Sequence, residues 1–313
     1  MTEMHASNSE LWTGYWQSGR IDTGMGAPTD NGKDGFSAFW QMLVGELPDD
    51  ARIIDLGTGN GAVPRHLNRA AKCLGKTISI IGIDAASIDP TRTLGMDADG
   101  LAGVTFIGDT DLTKTGFGDG SFQGATSQFA IEHAEAGKAV PELLRILDSG
   151  APFQLLLLHA SSPLVLSFVR QIGEIDTLMA DDGLVPAMRH VLEEPSTRAT
   201  DALEKAGRMH MERYGENLSP IAEEIFAAVA ILINSADVPL PVRRQAASRM
   251  DMRLKDEQAR LHQLARAAMD ENAAHDLRDL FQTAGAASLA LERMYDEDER
   301  AVLGWALTGQ CAP

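Results

Sequence analysis

Positive charge, cysteine and long apolar runs are all in short supply in this chain, and each shortage closes off a class of function. Lys and Arg total 27 against 45 Asp and Glu, a formal charge of −18. Nucleic-acid binding rests mainly on Lys and Arg neutralising phosphates, so no nucleic-acid partner is expected. The two cysteines, Cys73 and Cys311, show no metal-ligand spacing. They suit a reducing compartment, and no metal site is expected. No apolar run reaches the roughly 20 residues that span a bilayer, so no membrane partner is expected either. The amino terminus, MTEMHASNSELW, has neither a basic n-region nor an apolar h-region. A cytoplasmic location is therefore the expectation. What is present is ordinary for a globular protein: 44% hydrophobic and 23% charged residues over 313 positions. That length suits one large domain or a domain with a sizeable insertion.

Along the chain the pattern changes twice. Residues 1–50 hold two aromatic clusters, LWTGYW and GFSAFW, around a linker with six glycines between Gly14 and Gly35. This stretch reads as a mobile cap. From Ala51, strand-like runs alternate with helical ones: 51–56, TISIIGID (77–84), GVTFIGD (103–109), FQGATSQFA (122–130) and PFQLLLLHA (152–160). The clearest helices between them are 61–74 and 137–147. Such alternation builds parallel βαβ units and an open doubly wound sheet.

Residues 162–271 then lose the strand signal. SPLVLSFVRQIGEIDTLM and SPIAEEIFAAVAILINSA each open with a Ser-Pro that suits a helix entry. Met250, Leu254, Leu261, Leu264 and Ala268 form an apolar seam for another helix, in this chain or in a neighbour. A homodimer through this region is one expectation. HDLRDLFQTAG reads as a helix ending at Gly285, and ASLALERMYD and AVLGWALTG as two closing strands around an acidic turn. The expected fold is α/β, a Rossmann-like doubly wound seven-stranded sheet, mostly parallel with an antiparallel closing strand. It takes in 51–161 and 272–313, with an all-helical insertion at 162–271.

The stretch that carries chemistry is ARIIDLGTGNGAVPRHL, where Gly57, Gly59 and Gly61 alternate after a strand and before a helix. Glycines there take positive φ or let the backbone approach a ligand. Gly57, Gly59 and Ala62 also satisfy the loose dinucleotide pattern G-x-G-x-x-G/A. Asp55 separates the alternatives. A dinucleotide would place its pyrophosphate at the helix amino terminus, where a carboxylate two residues ahead of the first glycine repels it. S-adenosylmethionine carries no phosphate, and its ammonium and sulfonium are attracted to an acid.

The set IIDLGTGNGAV, IIGIDAAS, FIGDTDL and FGDGSFQGATSQFAIEHA, in that order, resembles the class I S-adenosylmethionine-dependent methyltransferases of the small-molecule type. The resemblance covers roughly residues 50–160 and the closing strands 274–308. It implies S-adenosylmethionine as cofactor, with Gly57, Gly59 and Gly61 wrapping its methionine and ribose and Thr58 beside them. Asp84 resembles the acid that accepts both ribose hydroxyls, and Asp109 the acid that accepts the adenine amine, with Ala85 and Thr110 next to them. Gln128 and Phe129 would lie near the donor and the substrate mouth. LWTGYWQSGR is similar to aromatic segments that cover the donor, which puts Tyr15 and Trp16 in the donor-binding set. Gln123 stands where the family has an Asp after SF.

Each assignment has a rival reading. Asp55 can cap its loop, Asp84 can be a solvated turn residue, and Asp111 competes with Asp109. His133 and His159 follow strand carboxyl ends, where open α/β sheets bind ligands. Either can take a proton from an acceptor, and either can be a structural hydrogen-bonding residue. Arg170, Arg189, Arg208 and Arg213 lie in the insertion, facing an anionic acceptor or solvent. The expected activity is methyl transfer to a small-molecule acceptor. An NAD-dependent oxidoreductase and a non-catalytic donor-binding or assembly protein are the alternatives.

Overall fold

The computed structural model describes residues 8–22, 36–95, 100–215, 217–296 and 300–312. The glycine-rich linker expected to be mobile lies largely outside them, at 23–35. The chain divides into two compact units, one of residues 1–165 with 266–313 and one of 166–265.

The first unit begins with helices α1 (Asn8–Gln17) and α2 (Ser37–Glu46). There follow β1 (Ala51–Leu56), α3 (Ala62–Leu74), β2 (Ile78–Ile83), α4 (Pro90–Leu94), β3 (Val104–Ile107), β4 (Gly124–Gln128), α5 (Ala136–Ile146) and β5 (Pro152–Leu158). After the helical unit come α11 (Glu271–Thr283), β6 (Ala286–Tyr295) and β7 (Val302–Cys311). The seven strands form one sheet in the order β3-β2-β1-β4-β5-β7-β6. Strands β1 to β5 pair in parallel, while β7 runs antiparallel to both β5 and β6. The sheet is the expected doubly wound one. Its chain path reverses between β1 and β4, so the crevice at their carboxyl ends is the switch point where such sheets bind ligands.

Burial explains why these runs become strands. Ile53, Ile54, Phe153, Leu155, Leu156 and Leu157 are buried, with Phe281 of α11 stacked on Phe153 at 5.0 Å. Each such side chain contributes about 1.5–3 kcal/mol by leaving water. That sum outweighs the poor strand propensity of β4, whose sequence is only GATSQ. Small side chains suit β4 because it sits between β1 and β5, and Gly124 leaves room for Leu47.

Two strands are shorter than expected. Strand β3 stops before Asp109 and β4 before Phe129, both of which take positive φ, +54° in each case. Helix α2 is also no loose cap. Phe39, Trp40, Leu43 and Val44 are buried, and the Lys76 ammonium donates to the carbonyls of Val44, Gly45 and Leu47 at its carboxyl end.

The second unit is helical throughout its described residues. It runs from within α6 (Pro163–Met179) through α7 (Leu184–Glu193), α8 (Thr197–Tyr214) and α9 (Pro220–Asn234) into α10 (Leu240–Ala267). Ser219 caps α9 by accepting from the Ala222 amide, with Pro220 in the first turn, as the Ser-Pro signal implies. The unit is narrower than the expected 162–271, because Met269 is bonded to Leu158 and Ala160 at the end of β5. The α10 seam residues Met250, Leu254, Leu261 and Leu264 are buried within the single chain. They are therefore not an open face for a second copy. No helix among the described residues is long and apolar enough to cross a membrane.

Candidate active site

The loop after β1 is shaped by its glycines. Gly57, Gly59 and Gly61 have φ of +68°, +50° and +86°, a region that costs a residue with a Cβ roughly 1–2 kcal/mol. Space is a second reason. A Cβ on Gly57 would lie 2.2 Å from Ala130 Cβ, on Gly59 2.5 Å from the Trp16 ring, and on Gly61 2.7 Å from Leu101. These glycines therefore bring three other segments onto the loop, whose residues 58–61 are buried beneath them. Gly82 of β2 does the same for Thr58, which a Cβ there would meet at 2.5 Å.

Two buried carboxylates flank the loop. Asp84, at the end of β2, accepts the Gly59 amide on Oδ2 and the Ala86 amide on Oδ1, both at 2.8 Å. It thus ties the β1 and β2 loops together, and each oxygen keeps a second lone pair. Burial pushes its pKa upward, against the pull of those two amides. Asp55 is 1% exposed, and Thr126 on β4 donates to its Oδ1 at 2.8 Å. Desolvation raises its pKa to about 7, with the Thr58 and Thr126 hydroxyls pulling the other way.

Among the described residues, the buried side-chain atoms along the β1–β4 edge without a hydrogen-bond partner are the acceptors Asp55 Oδ2, Asn60 Oδ1, Gln128 Oε1 and Glu132 Oε2, and the Thr58 hydroxyl, which can also donate. Burying acceptors unpaired costs about 1–3 kcal/mol each. A site left with acceptors and carboxylates calls for donors and positive charge. S-adenosylmethionine fits that requirement through its ammonium and sulfonium, and a pyrophosphate does not.

Helix α1 lies against this edge. Tyr15 and Trp16 are buried with Ala86 of the β2 loop, and Trp12 and Ile88 pack beside them. The Asn60 side-chain amide donates to the carbonyls of Trp16 at 2.8 Å and Arg20 at 2.6 Å. The Ser87 amide donates to Thr13 Oγ1 at 2.9 Å, and the Trp12 ring meets His133 edge-on at 6.0 Å.

Strand order 3-2-1-4-5-7-6, the glycine loop after β1 and the acid closing β2 now stand in one place. The chain has a Rossmann-like, doubly wound seven-stranded sheet with an antiparallel closing strand. No protein-family model matches it. It is similar to the dimethylglycine N-methyltransferase of Parasynechococcus marenigrum (strain WH8102), 32% identical over 112 residues. That match takes in 36% of this chain, which spans about two-fifths, 39%, of the relative's length. Among solved structures, it is similar to a Methanococcus maripaludis protein provisionally assigned as an S-adenosyl-L-methionine-dependent methyltransferase, at 10% identity and TM-score 0.48. That likeness covers 100% of this chain and 98% of the other. A methyltransferase of Methanosarcina mazei is similar at 13% identity and TM-score 0.41, over 87% of this chain and 97% of that one. The fold assignment rests on the strand order and register themselves.

In the frame of this fold, the remaining candidates separate. Asp109 is exposed at the end of β3, and its amide donates to the Ala86 carbonyl at 3.1 Å. Asp111 is engaged locally, its Oδ1 accepting the amide and the hydroxyl of Thr113 at 2.8 Å. Thr110 donates its amide to the Asp84 carbonyl at 2.9 Å, and Ala85 is exposed between the two acids. Phe129, buried at positive φ, turns the chain sharply as it leaves β4. Such a conformation is rare for a bulky side chain and is a form of strain that clusters at ligand sites.

The two histidines differ. His133 closes the 3-10 turn Ile131–His133, and Ala130, just ahead of that turn, abuts Gly57. The His133 side chain is exposed to solvent, with Trp12 against its ring, and partial desolvation moves its pKa downward. His159 stands beyond β5, on the side of β7, and its Nδ1 accepts the Ser161 amide at 3.0 Å. Its ring lies 4.7 Å from that of Trp305. His159 is thus packed into the sheet edge, and the structure brings only His133 to the loop.

Glu132 and Asn60 were not expected. Glu132 accepts the Leu158 amide at 2.9 Å, clamping the end of β5, and burial raises its pKa to about 7. Gln123 holds the other end of the sheet, accepting the Arg52 amide at 3.1 Å. In the helical unit, Arg170 is engaged with buried Glu174 at 3.0 Å and with the carbonyls of Tyr214 and Asn217. Arg208 pairs with Glu204, Arg213 lies over the Tyr214 ring, and Arg189 is exposed.

Proposed function

We propose that the protein transfers the methyl group of S-adenosylmethionine to a small-molecule acceptor. The observation that supports this most is the set of unpaired buried acceptors beside the glycine loop: Asp55 Oδ2, Asn60 Oδ1 and Gln128 Oε1. A ligand bringing cationic donors satisfies them, whereas a nicotinamide dinucleotide adds phosphate charge beside Asp55 and Asp84. In this reading the loop 57–61 holds the methionine end, Asp84 accepts the ribose hydroxyls and Asp109 the adenine amine. Tyr15 and Trp16 cover the site.

When bound, the sulfonium supplies an activated methyl for in-line displacement, so the protein's part is chiefly positioning. His133, exposed beside the loop, offers a lone pair for the proton the acceptor gives up. The formal charge of −18 disfavours a polyanionic acceptor. A small nucleophile is the acceptor class this supports. Incubation with methyl-labelled donor and the small-molecule fraction of a cell extract tests the reading. Label should appear in a low-molecular-weight product and disappear with Asp84→Asn. Donor binding without label in any product would reduce the protein to a donor-binding module.

A further inference from the structure

The cap helix and the donor loop meet through one side chain that neither element's own fold requires. Asn60 is fully buried between Gly59 and Gly61, and both its Nδ2 hydrogens are used on carbonyls at the end of α1. The Trp16 carbonyl also accepts the Gly19 amide at 3.2 Å in the turn that ends α1, and Arg20 follows that turn, so Asn60 ties the helix end and the chain just after it to the loop. The amide has one workable orientation, since the flipped form would set Oδ1 against the oxygens of Trp16 and Arg20. We propose that Asn60 is a positioning residue that latches α1 onto the donor loop, so that donor binding and ordering of the cap are coupled.

Three further contacts make the latch more than a local cap. Thr13 on α1 accepts the Ser87 amide from the β2 loop, Trp12 meets His133 of the β4 turn, and Trp16 fills the space above Gly59. The helix therefore touches the three loops that carry Gly59, Asp84 and His133. In the donor-binding reading, a ligand on Gly59 and Asp84 lies beside α1 and shares its contacts with these loops. Occupancy of the loop fixes the peptide of Asn60, and fixing Asn60 fixes α1. This inference rests on the donor-binding reading for its ligand, but the latch itself exists in the free protein.

Hydrogen exchange of the full chain, alone and with S-adenosylhomocysteine, tests it alongside calorimetric affinity. Asn60→Asp keeps the volume and replaces the donor by an oxygen facing two carbonyls. Amides of residues 11–19 should then exchange at least about tenfold faster, and ligand affinity should fall by about tenfold. Those of 51–56 and 152–158 should be unchanged, which shows that the sheet remains folded. Thr13→Val, which removes the acceptor for Ser87, gives a milder change in the same amides and serves if Asn60→Asp does not fold. In the wild type, ligand should slow exchange in 11–19. Unchanged exchange of 11–19 in both variants overturns the latch. A wild type that binds no S-adenosylhomocysteine defeats the functional reading instead, while the free-protein comparison still decides the latch.

Discussion

Replacing Asp55 with Asn should make the ligand-free protein more stable at pH 8. The carboxyl rises from 3.8 to about 7 on folding because burial penalises its charged form. At about 1.4 kcal/mol per pH unit, ionising it inside the fold costs as much as about 4 kcal/mol above neutrality. The sign follows from proton counts. Between about pH 4 and 7 the folded state holds a proton that the unfolded state has lost, so stability is greatest at the acid end and falls as pH rises. The Asn amide never ionises, and it can still accept from Thr126. One of its N–H groups is left without an obvious partner, at about 1–3 kcal/mol. The variant should thus be about 1–3 kcal/mol weaker near pH 4 and about 1–3 kcal/mol stronger at pH 8. Urea denaturation followed by tryptophan fluorescence reads this for the sheet unit alone, because Trp12, Trp16, Trp40 and Trp305 all lie in it. A difference between the two proteins that stays flat from pH 4 to pH 8 would refute the argument. So would a variant that is weaker at pH 8.

Asp84→Asn should behave oppositely, losing about 1–3 kcal/mol of stability because Gly59 or Ala86 is left with a buried amide unmet; urea titration near neutral pH checks it. Gly57→Ala should severely disrupt folding, given the 2.2 Å approach to Ala130 Cβ and φ of +68°, and adding Ala130→Gly should restore part of the soluble yield and melting temperature. His133→Gln should lower turnover by about tenfold or more with donor affinity unchanged, whereas His159→Gln should chiefly lower stability, by about 1–2 kcal/mol, through its lost contact with Trp305. Comparing kcat, donor affinity and unfolding midpoint for both histidine variants separates these outcomes.

What could be read beforehand was what pattern carries. Glycines at every second position after a strand, an acid two residues earlier and another at the next strand end are local signals, and Asp55, Asp84 and the loop stand where those signals put them. Helix entries such as Ser219-Pro220 are equally local. Partnerships across the chain have no such signature. Asn60 stands between two glycines of the motif, and its partners lie 40 and 44 residues earlier. Glu132 meets an amide 26 residues on, and nothing in its neighbours reveals burial. Arg170 reads as a free cation until Glu174 is seen fully buried beside it. The glycines read as a ligand cradle from the sequence, and the structure adds a steric reason for them, in Ala130, Trp16 and Leu101. Strand ends were misjudged where a non-glycine residue, Asp109 or Phe129, takes positive φ. Side-chain chemistry disfavours that conformation, and only tertiary contacts enforce it.

The central claim is that the loop beneath α1 binds a cationic, phosphate-free nucleoside. Calorimetric titration at pH 6.5 in two buffers of different ionisation enthalpy tests it most directly. Asp55 is substantially protonated there in the free protein, and a cation beside it lowers its pKa. S-adenosylmethionine should therefore bind at one site per chain and release up to about one proton, seen as a buffer-dependent enthalpy that Asp55→Asn abolishes. NAD should give no saturable heat. Saturable binding of NAD with none of S-adenosylmethionine would contradict the account.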